Sequence, residues 1–344
     1  MLHGAIIGFG GVAANGHYPA YAALPGLKVE SVVDPSAHRQ AAAQALGLRA
    51  YPSLEALFES ERVDFVDICT PPALHLSPMR AALERGIHVL CEKPFLLDLP
   101  AFEEVVELSR ARQACAFPAH NWKYAPMVQR ADHQVRLGTL GSIRRVELCT
   151  YRQGHCKGAD SDAEDWRLHA ATAGGGILID HGWHAFYLLL QWIDSDPVRI
   201  WATVSRPDPE TLDDEVDVRV EFENGAEGRI MLTWRAEARR NTIAIDGDRG
   251  SIRIDGEELA VVVPDRPTLT ESAESLAAGS HHTEWFRGLL PDFAAAIAEP
   301  ARREEALREA AWCLVLTKAV YELEQSGAPS RQVELPVSLR GSIC

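Results

Sequence analysis

Asp180, His181 and His184 interrupt the start of an apolar run, GGGILIDHGWHAFYLLLQW, that occupies residues 174 to 192 of the 344-residue chain. Ionisable groups at the mouth of a core element need partners, because burial otherwise costs several kcal/mol or shifts their pKa. Asp180 and His184 are four residues apart. On an α-helix they share one face, which Tyr187 and Leu188 continue, while His181 points about 100° away. The chemistry available to such a face is proton transfer. A carbinol carbon can release a hydride only if its hydroxyl proton leaves in the same event, so a base must lie within hydrogen-bond reach. Histidine is best matched to that task near neutrality. The pattern makes His184 the general acid/base, with Asp180 either orienting it or binding an adjacent hydroxyl. A purely structural account makes Asp180 an N-cap and His184 a satisfied core histidine; no capping-box residue supports it, since Trp183 stands three residues on.

Lys93, in Glu92-Lys93-Pro94, follows the strand-like IHVLC. The carboxyl end of a parallel strand is where doubly wound sheets bind ligands, and Pro94 biases Lys93 toward extended backbone. An ammonium there would stabilise a developing alkoxide. Gly8-Phe9-Gly10-Gly11-Val12-Ala13 follows the first strand and opens a helix, the context a GxGxxG/A dinucleotide fingerprint requires. Gly8 permits the tight turn, Gly10 lets the backbone approach a pyrophosphate, and Ala13 keeps the helix near the sheet. Asp34 ends the second strand, where a carboxylate binds ribose hydroxyls and repels the extra phosphate of NADP. NAD is the expected cofactor and NADP the alternative.

Thr70-Pro71-Pro72 with His75, Glu92-Lys93-Pro94, Gly174-Gly175-Gly176 and Asp180-x-x-x-His184 occur in this order. With the glycine fingerprint they resemble the Gfo/Idh/MocA family of glucose–fructose oxidoreductase and inositol dehydrogenase relatives. The resemblance implies that Lys93, Asp180 and His184 line a cleft beside the nicotinamide. It implies that Gly8, Phe9, Gly10, Gly11, Val12, Asp34, Thr70, Pro71, Pro72, His75, Glu92 and Lys93 surround the cofactor. Asp165-Trp166-Arg167 resembles the family's WR element near the substrate. Three positions depart from the family pattern: Tyr187 replaces the last carboxylate of DxGxHxxD, Lys123 stands where Arg is common, and Trp183 is unusually bulky. Trp122, Lys123, Trp166, Arg167 and Tyr187 suit stacking on a ring and bonding its hydroxyls.

Two kinds of element must position these residues. Up to about residue 121, short apolar runs (GAIIGFG, KVESVVD, VDFVDICT, IHVLCE, ACAFPAH) alternate with helical patterns that stop at Gly47 and Gly86; this is the rhythm of βαβ units. The expected fold class is α/β, with a doubly wound parallel Rossmann sheet in residues 1–121. Residues 122–344 read as an α+β domain. Helical patterns at 124–137, 180–193, 283–299 and 302–325 frame strands separated by Asn224-Gly225, Asp246-Gly247 and Asp255-Gly256, which favour antiparallel pairing. The large sheet is expected to be mainly antiparallel and open, and the resemblance implies a homodimer or homotetramer assembled through it. Pro264 to Ser280 reads as a mobile loop.

Composition narrows the function classes. With 49 acidic residues against 34 basic and a formal net charge of -15, the chain would repel a nucleic-acid backbone. No window approaches the roughly 18 uninterrupted apolar residues of a membrane span, and MLHGAIIGFG lacks a basic n-region. Seven cysteines without a CxxC pair suggest reduced thiols and a cytoplasmic setting. Cys149, His155, Cys156, Asp160, Asp162 and His169 match no zinc template, so no metal is expected. The reading is an NAD-dependent dehydrogenase of a sugar, cyclitol or sugar derivative. Two alternatives are a glycosidase or lyase using NAD transiently and a non-catalytic NAD-binding regulator.

Overall fold

A computed structural model describes residues 1–155, 166–279 and 281–339. Strands β1 (Leu2–Ile7), β2 (Leu27–Val33), β3 (Arg49–Tyr51), β4 (Phe65–Ile68), β5 (His88–Cys91) and β6 (Ala116–Pro118) form one sheet in the order 3-2-1-4-5-6. Every pairing in it is parallel. β4 and β5 are almost wholly buried, as strands covered by helices on both faces must be. The order reverses between β1 and β4, so a crevice opens at their carboxyl ends. Gly8, Thr70 and Lys93 lie just past the ends of β1, β4 and β5.

A second sheet has nine strands: β7 (Ile143–Tyr151), β8 (Pro197–Ser205), β9 (Glu215–Phe222), β10 (Glu227–Thr233), β11 (Arg240–Gly247), β12 (Ser251–Asp255), β13 (Glu258–Val262), β14 (Leu269–Ser272) and β15 (Arg331–Gln332). Their order is 14-13-12-11-7-10-9-8-15. Only β7 and β10 run parallel to each other; the other neighbours are antiparallel. Alternation is clean in β9, where Val216, Val218, Val220 and Phe222 are buried and Asp217 and Arg219 pair with charges on β10. Helices Trp183–Ile193 and Pro300–Ser326 supply apolar side chains to the core with these strands.

Two expectations change here. The stretch from Pro264, read as a mobile loop, contains β14, which pairs with β13. Its side chains are nearly all exposed, so backbone hydrogen bonds hold an edge strand that has no apolar alternation to betray it. The helix Thr283–Ala298, read as part of the second half, returns to the first. Phe286, Leu289 and Phe293 share a core with Ile6, Val29 and Phe65. No helix among the described residues is long and apolar enough to cross a membrane.

Candidate active site

The glycine-rich turn is built as its sequence demands. Gly8 has φ +87°, and a Cβ there would meet Thr70 Cγ2 at 3.0 Å and the Cys69 carbonyl carbon at 3.1 Å. A Cβ at Gly10 would meet nothing within 4 Å, which leaves the space a pyrophosphate needs against bare backbone. Asp34 fastens this turn: its Oδ2 accepts the Phe9 N–H at 2.8 Å and its Oδ1 the Ser36 N–H at 2.9 Å. The Phe9 side chain itself is core. Gly11 and Ala13 lead into a π-helical turn, Ala13–His17. Thr70 Oγ1 is buried without a hydrogen-bond partner among the described residues, as a group awaiting a ligand would be. The donor set, the open space and the orphaned hydroxyl fit a dinucleotide.

A cleft of about 630 Å³ runs from this turn to the second sheet. Val12, Thr70, Pro72, Glu92 and Lys93 line it from the first half; Trp122, Trp166, Arg167, Asp180 and His184 line it from the second. Lys93 Nζ donates to the Asp180 carbonyl at 2.6 Å and to its Oδ1 at 3.3 Å, a contact spanning 87 residues of sequence. Burial would raise the Asp180 pKa, but His181 and the Lys93 ammonium more than offset it and hold the carboxyl well below its ordinary value. Burial, followed by Lys93 and His181, drives the His184 imidazole well below its ordinary value.

The three glycines are explained by close approach. A Cβ on Gly176 would lie 1.9 Å from the Asp213 carbonyl oxygen. Asp213, fully buried, accepts the N–H groups of Gly176 and Leu178 and the Tyr321 hydroxyl at 2.8, 2.9 and 2.9 Å. It thereby fixes the start of a π-helical turn, Leu178–Gly182, that runs into helix Trp183–Ile193. The wider turn departs from the spacing of an α-helix, and Asp180, His181 and His184 all line the cleft. His181, expected to face elsewhere, lies 3.1 Å from Asp180 Oδ2 through Nδ1.

Several expected contacts fall elsewhere. Tyr187 is fully buried, outside the cleft lining: its hydroxyl lies 2.7 Å from His184 Nδ1 and accepts the Trp122 N–H at 3.0 Å. Among the described residues Tyr187, and not Asp180, is therefore the group hydrogen-bonded to His184. Lys123 turns away from the cleft to Glu309 Oε2, 2.5 Å away, while His120 Nδ1 holds Oε1 at 2.6 Å. That partly buried carboxylate holds Lys123 there. His75 is enclosed between two loops, with Nδ1 3.0 Å from the Pro94 carbonyl and Nε2 2.8 Å from the Thr70 carbonyl; as a neutral ring it donates to one of them. Glu92 reaches the cleft while its Oε1 meets His17 Nε2 at 3.0 Å. Pro71 precedes the short turn Pro72–Leu74 and is not among the cleft residues.

Trp122 stacks on His184, with ring centroids 4.4 Å apart and planes 9° apart. The Arg167 guanidinium lies 4.3 Å over the Trp166 ring. Asp165, with Cys156, Asp160 and Asp162, lies outside the described residues. Sequence reasoning missed Asn121, Arg152, Gln153 and Arg239, which also line the cleft. Asn121 Oδ1 is buried without a hydrogen-bond partner among the described residues; its place beside Trp122 was the one available signal.

Comparison with known proteins agrees with this architecture. Residues 2–120 match the model described as "Oxidoreductase family, NAD-binding Rossmann fold", and residues 128–253 match "GFO/IDH/MocA C-terminal domain". The chain is 28% identical to levoglucosan dehydrogenase of Pseudarthrobacter phenanthrenivorans over 278 residues, 71% of each chain. It is 29% identical to D-xylose 1-dehydrogenase (NADP(+)) 2 of Haloferax volcanii over 68% of this chain and 70% of that one. Among solved structures, a levoglucosan dehydrogenase complex with NADH superposes with a TM-score of 0.83 at 23% identity, covering 97% of this chain and all of that one. GenD2 from gentamicin A biosynthesis, in complex with NAD, gives 0.82 at 21% identity, covering 97% of this chain and 96% of that one; at such identities the likeness shows the fold. With both domain models matched in order around one cleft, the chain belongs to the Gfo/Idh/MocA family of NAD-binding oxidoreductases.

Proposed function

We propose that the protein is an NAD-dependent dehydrogenase acting on a carbinol carbon of a sugar, cyclitol or sugar derivative, with Lys93, Asp180 and His184 managing the proton. The observation that carries this is the meeting of Lys93, from the end of β5, with Asp180 and His184 in one cleft. NAD, when bound, supplies the hydride acceptor. Gly8, Gly10 and Asp34 would hold it at the turn after β1, with Thr70, Pro72 and Glu92 continuing the site. Trp122, Trp166 and Arg167 offer ring faces and a guanidinium on the substrate side, suited to a polyhydroxylated ring. The named relatives act on such compounds: levoglucosan and D-xylose. Residues 1–121 form the cofactor unit in this reading, and residues 122–344 the substrate and association unit, which lends Thr283–Ala298 back to the first.

The direct test is a panel of sugars, cyclitols and nucleotide sugars incubated with the protein and NAD, followed for both NADH and altered substrate. NADH rising in step with oxidised substrate is expected. Product released without NADH would instead mark a transient redox cycle. We also propose that two or four copies of the chain associate in the cytoplasm through the open face of the large sheet. That face carries cross-strand pairs of both signs, such as Arg219–Glu227 and Arg229–Asp217. Sedimentation should give two or four times 37.8 kDa; a monomer at micromolar concentration rules the assembly out.

A further inference from the structure

We propose that Tyr187 is a positioning residue that fixes neutral His184 with its proton on Nε2, so that His184 donates a hydrogen bond to the substrate oxygen while Lys93 takes the hydroxyl proton. The division of labour rests on the dehydrogenase reading above and reverses the role that spacing alone gives His184.

The argument follows one proton. The Tyr187 oxygen accepts the Trp122 N–H, a bond whose direction is not in doubt because an amide can only donate. The hydroxyl's own proton needs an acceptor, because Tyr187 is fully buried. His184 Nδ1, at 2.7 Å, is the one within hydrogen-bond reach among the described residues. The nearby carboxylate of Glu309 is engaged by His120 and Lys123. Were Nδ1 protonated, the phenol would face two donors and its own proton would be stranded, a bias on the order of tenfold to a hundredfold against that arrangement. Nδ1 is therefore bare, and a neutral imidazole with a bare Nδ1 carries its proton on Nε2. Among the described residues Nε2 has no hydrogen-bond partner, and it is not among the fully buried orphan atoms; His184 lines the cleft.

His120 confirms the logic by its contrast. There the Trp183 indole N–H donates to Nε2 at 2.9 Å, so the proton must sit on Nδ1, facing Glu309 at 2.6 Å. Two neighbouring imidazoles are thus locked in opposite tautomers. The groups facing His184 are Lys93 from the loop after β5, Asp180 and His181 from the π-turn, His120 and Trp122 from the segment after β6, and Tyr187 from its own helix. Burial and the Lys93 charge disfavour the imidazolium.

A bare Nδ1 and a protonated Nε2 leave His184 unable to accept the substrate proton. Lys93 has three N–H directions, two of them directed at Asp180. In oxidation the substrate O–H bond breaks and its proton goes to Lys93 Nζ as the ammonium passes one of its own to the Asp180 carboxylate, 3.3 Å away. The C–H electron pair leaves with the hydride lost to the oxidised cofactor of the family reaction. His184 gains and loses nothing. Reduction is the reverse, with the ammonium giving its proton to the oxygen that His184 polarises.

The experiment is a long-range ¹H–¹⁵N correlation on the full chain labelled with ¹⁵N-histidine and saturated with NAD, with His184 assigned by the signals lost in His184→Asn. Expected is a protonated Nε2 and a bare Nδ1, unchanged from pH 8 to about pH 6. A protonated Nδ1, or an imidazolium in that range, overturns the assignment. In Tyr187→Phe the tautomers should mix and kcat should fall at least about tenfold, with KM and NAD affinity within about threefold. A variant that keeps both the Nε2–H pattern and kcat overturns it equally; if the variant does not fold, the wild-type spectrum decides alone. Polyol oxidation without the Nε2–H pattern sinks this inference only, whereas the pattern with no polyol oxidised sinks the functional reading only.

Discussion

Histidines in this protein are sorted by their partners, and the sorting should be visible in stability. Burial is the first cause holding His75, His120, His181 and His184 below the ordinary imidazole value. Unfolded, each binds a proton near pH 6.5; folded, each stays neutral to lower pH. The unfolded state therefore binds more protons as pH falls, and each imidazole still neutral in the native state removes about 1.4 kcal/mol of stability per pH unit below roughly 6.5. His17 has the opposite sign. Burial alone would lower it, but Asp67, 2.8 Å from its Nδ1, leaves it well above its ordinary value. Its contribution is complete below about pH 6.5 and is lost as pH rises through the folded value. Urea midpoints should thus peak near pH 6 to 7 and fall more steeply on the acid side; a flat profile from pH 7 to 5 would contradict the assignment of neutral buried imidazoles. None of this sorting was legible in the sequence, because it depends on which carbonyl, carboxylate or phenol folding brings to each ring.

Elements were legible where their periodicity met a buried face. β1, β2, β4 and β5 announce themselves as apolar runs ending in Gly8, Asp34, Thr70 and Glu92, and β9 by alternation. Hidden were β14, whose side chains are exposed, and the π-turn Leu178–Gly182. A π-turn breaks the four-residue arithmetic that a helix pattern assumes, so His181 was placed on the wrong face. The turn's stability depends on Asp213, far away in sequence, and on the absence of a side chain at residue 176. Gly176→Ala would drive a methyl to 1.9 Å from a backbone oxygen. A loss of about 2 kcal/mol or more in urea unfolding is expected; a change within about 0.5 kcal/mol would mean that the segment does not pack on Asp213 as described.

At the scale of the whole molecule, two sheets of different grammar meet at one crevice, and each brings part of its lining. The glycine turn, Asp34 and Lys93 come from the parallel sheet; Asp180, His184, Trp166 and Arg167 come from the segments leading into the second. Motif order conveyed that convergence, since both halves carried recognisable signals. Motif order could not convey that Lys123 and Tyr187 sit behind the cleft wall, because a partner, Glu309, and a neighbour, His184, decide where those side chains go. If Lys93 and His184 act on one substrate oxygen, they act as a unit, and removing both should cost little more than removing the worse one. The decisive measurement is kcat for NADH formation with an accepted polyol in Lys93→Met, His184→Ala and the double variant, with NAD affinity measured alongside. We predict at least a hundredfold loss in each single variant, a double variant no more than about tenfold worse than the poorer single, and unchanged NAD binding. Near-normal turnover in either single variant, or losses that multiply in the double, would contradict a shared site.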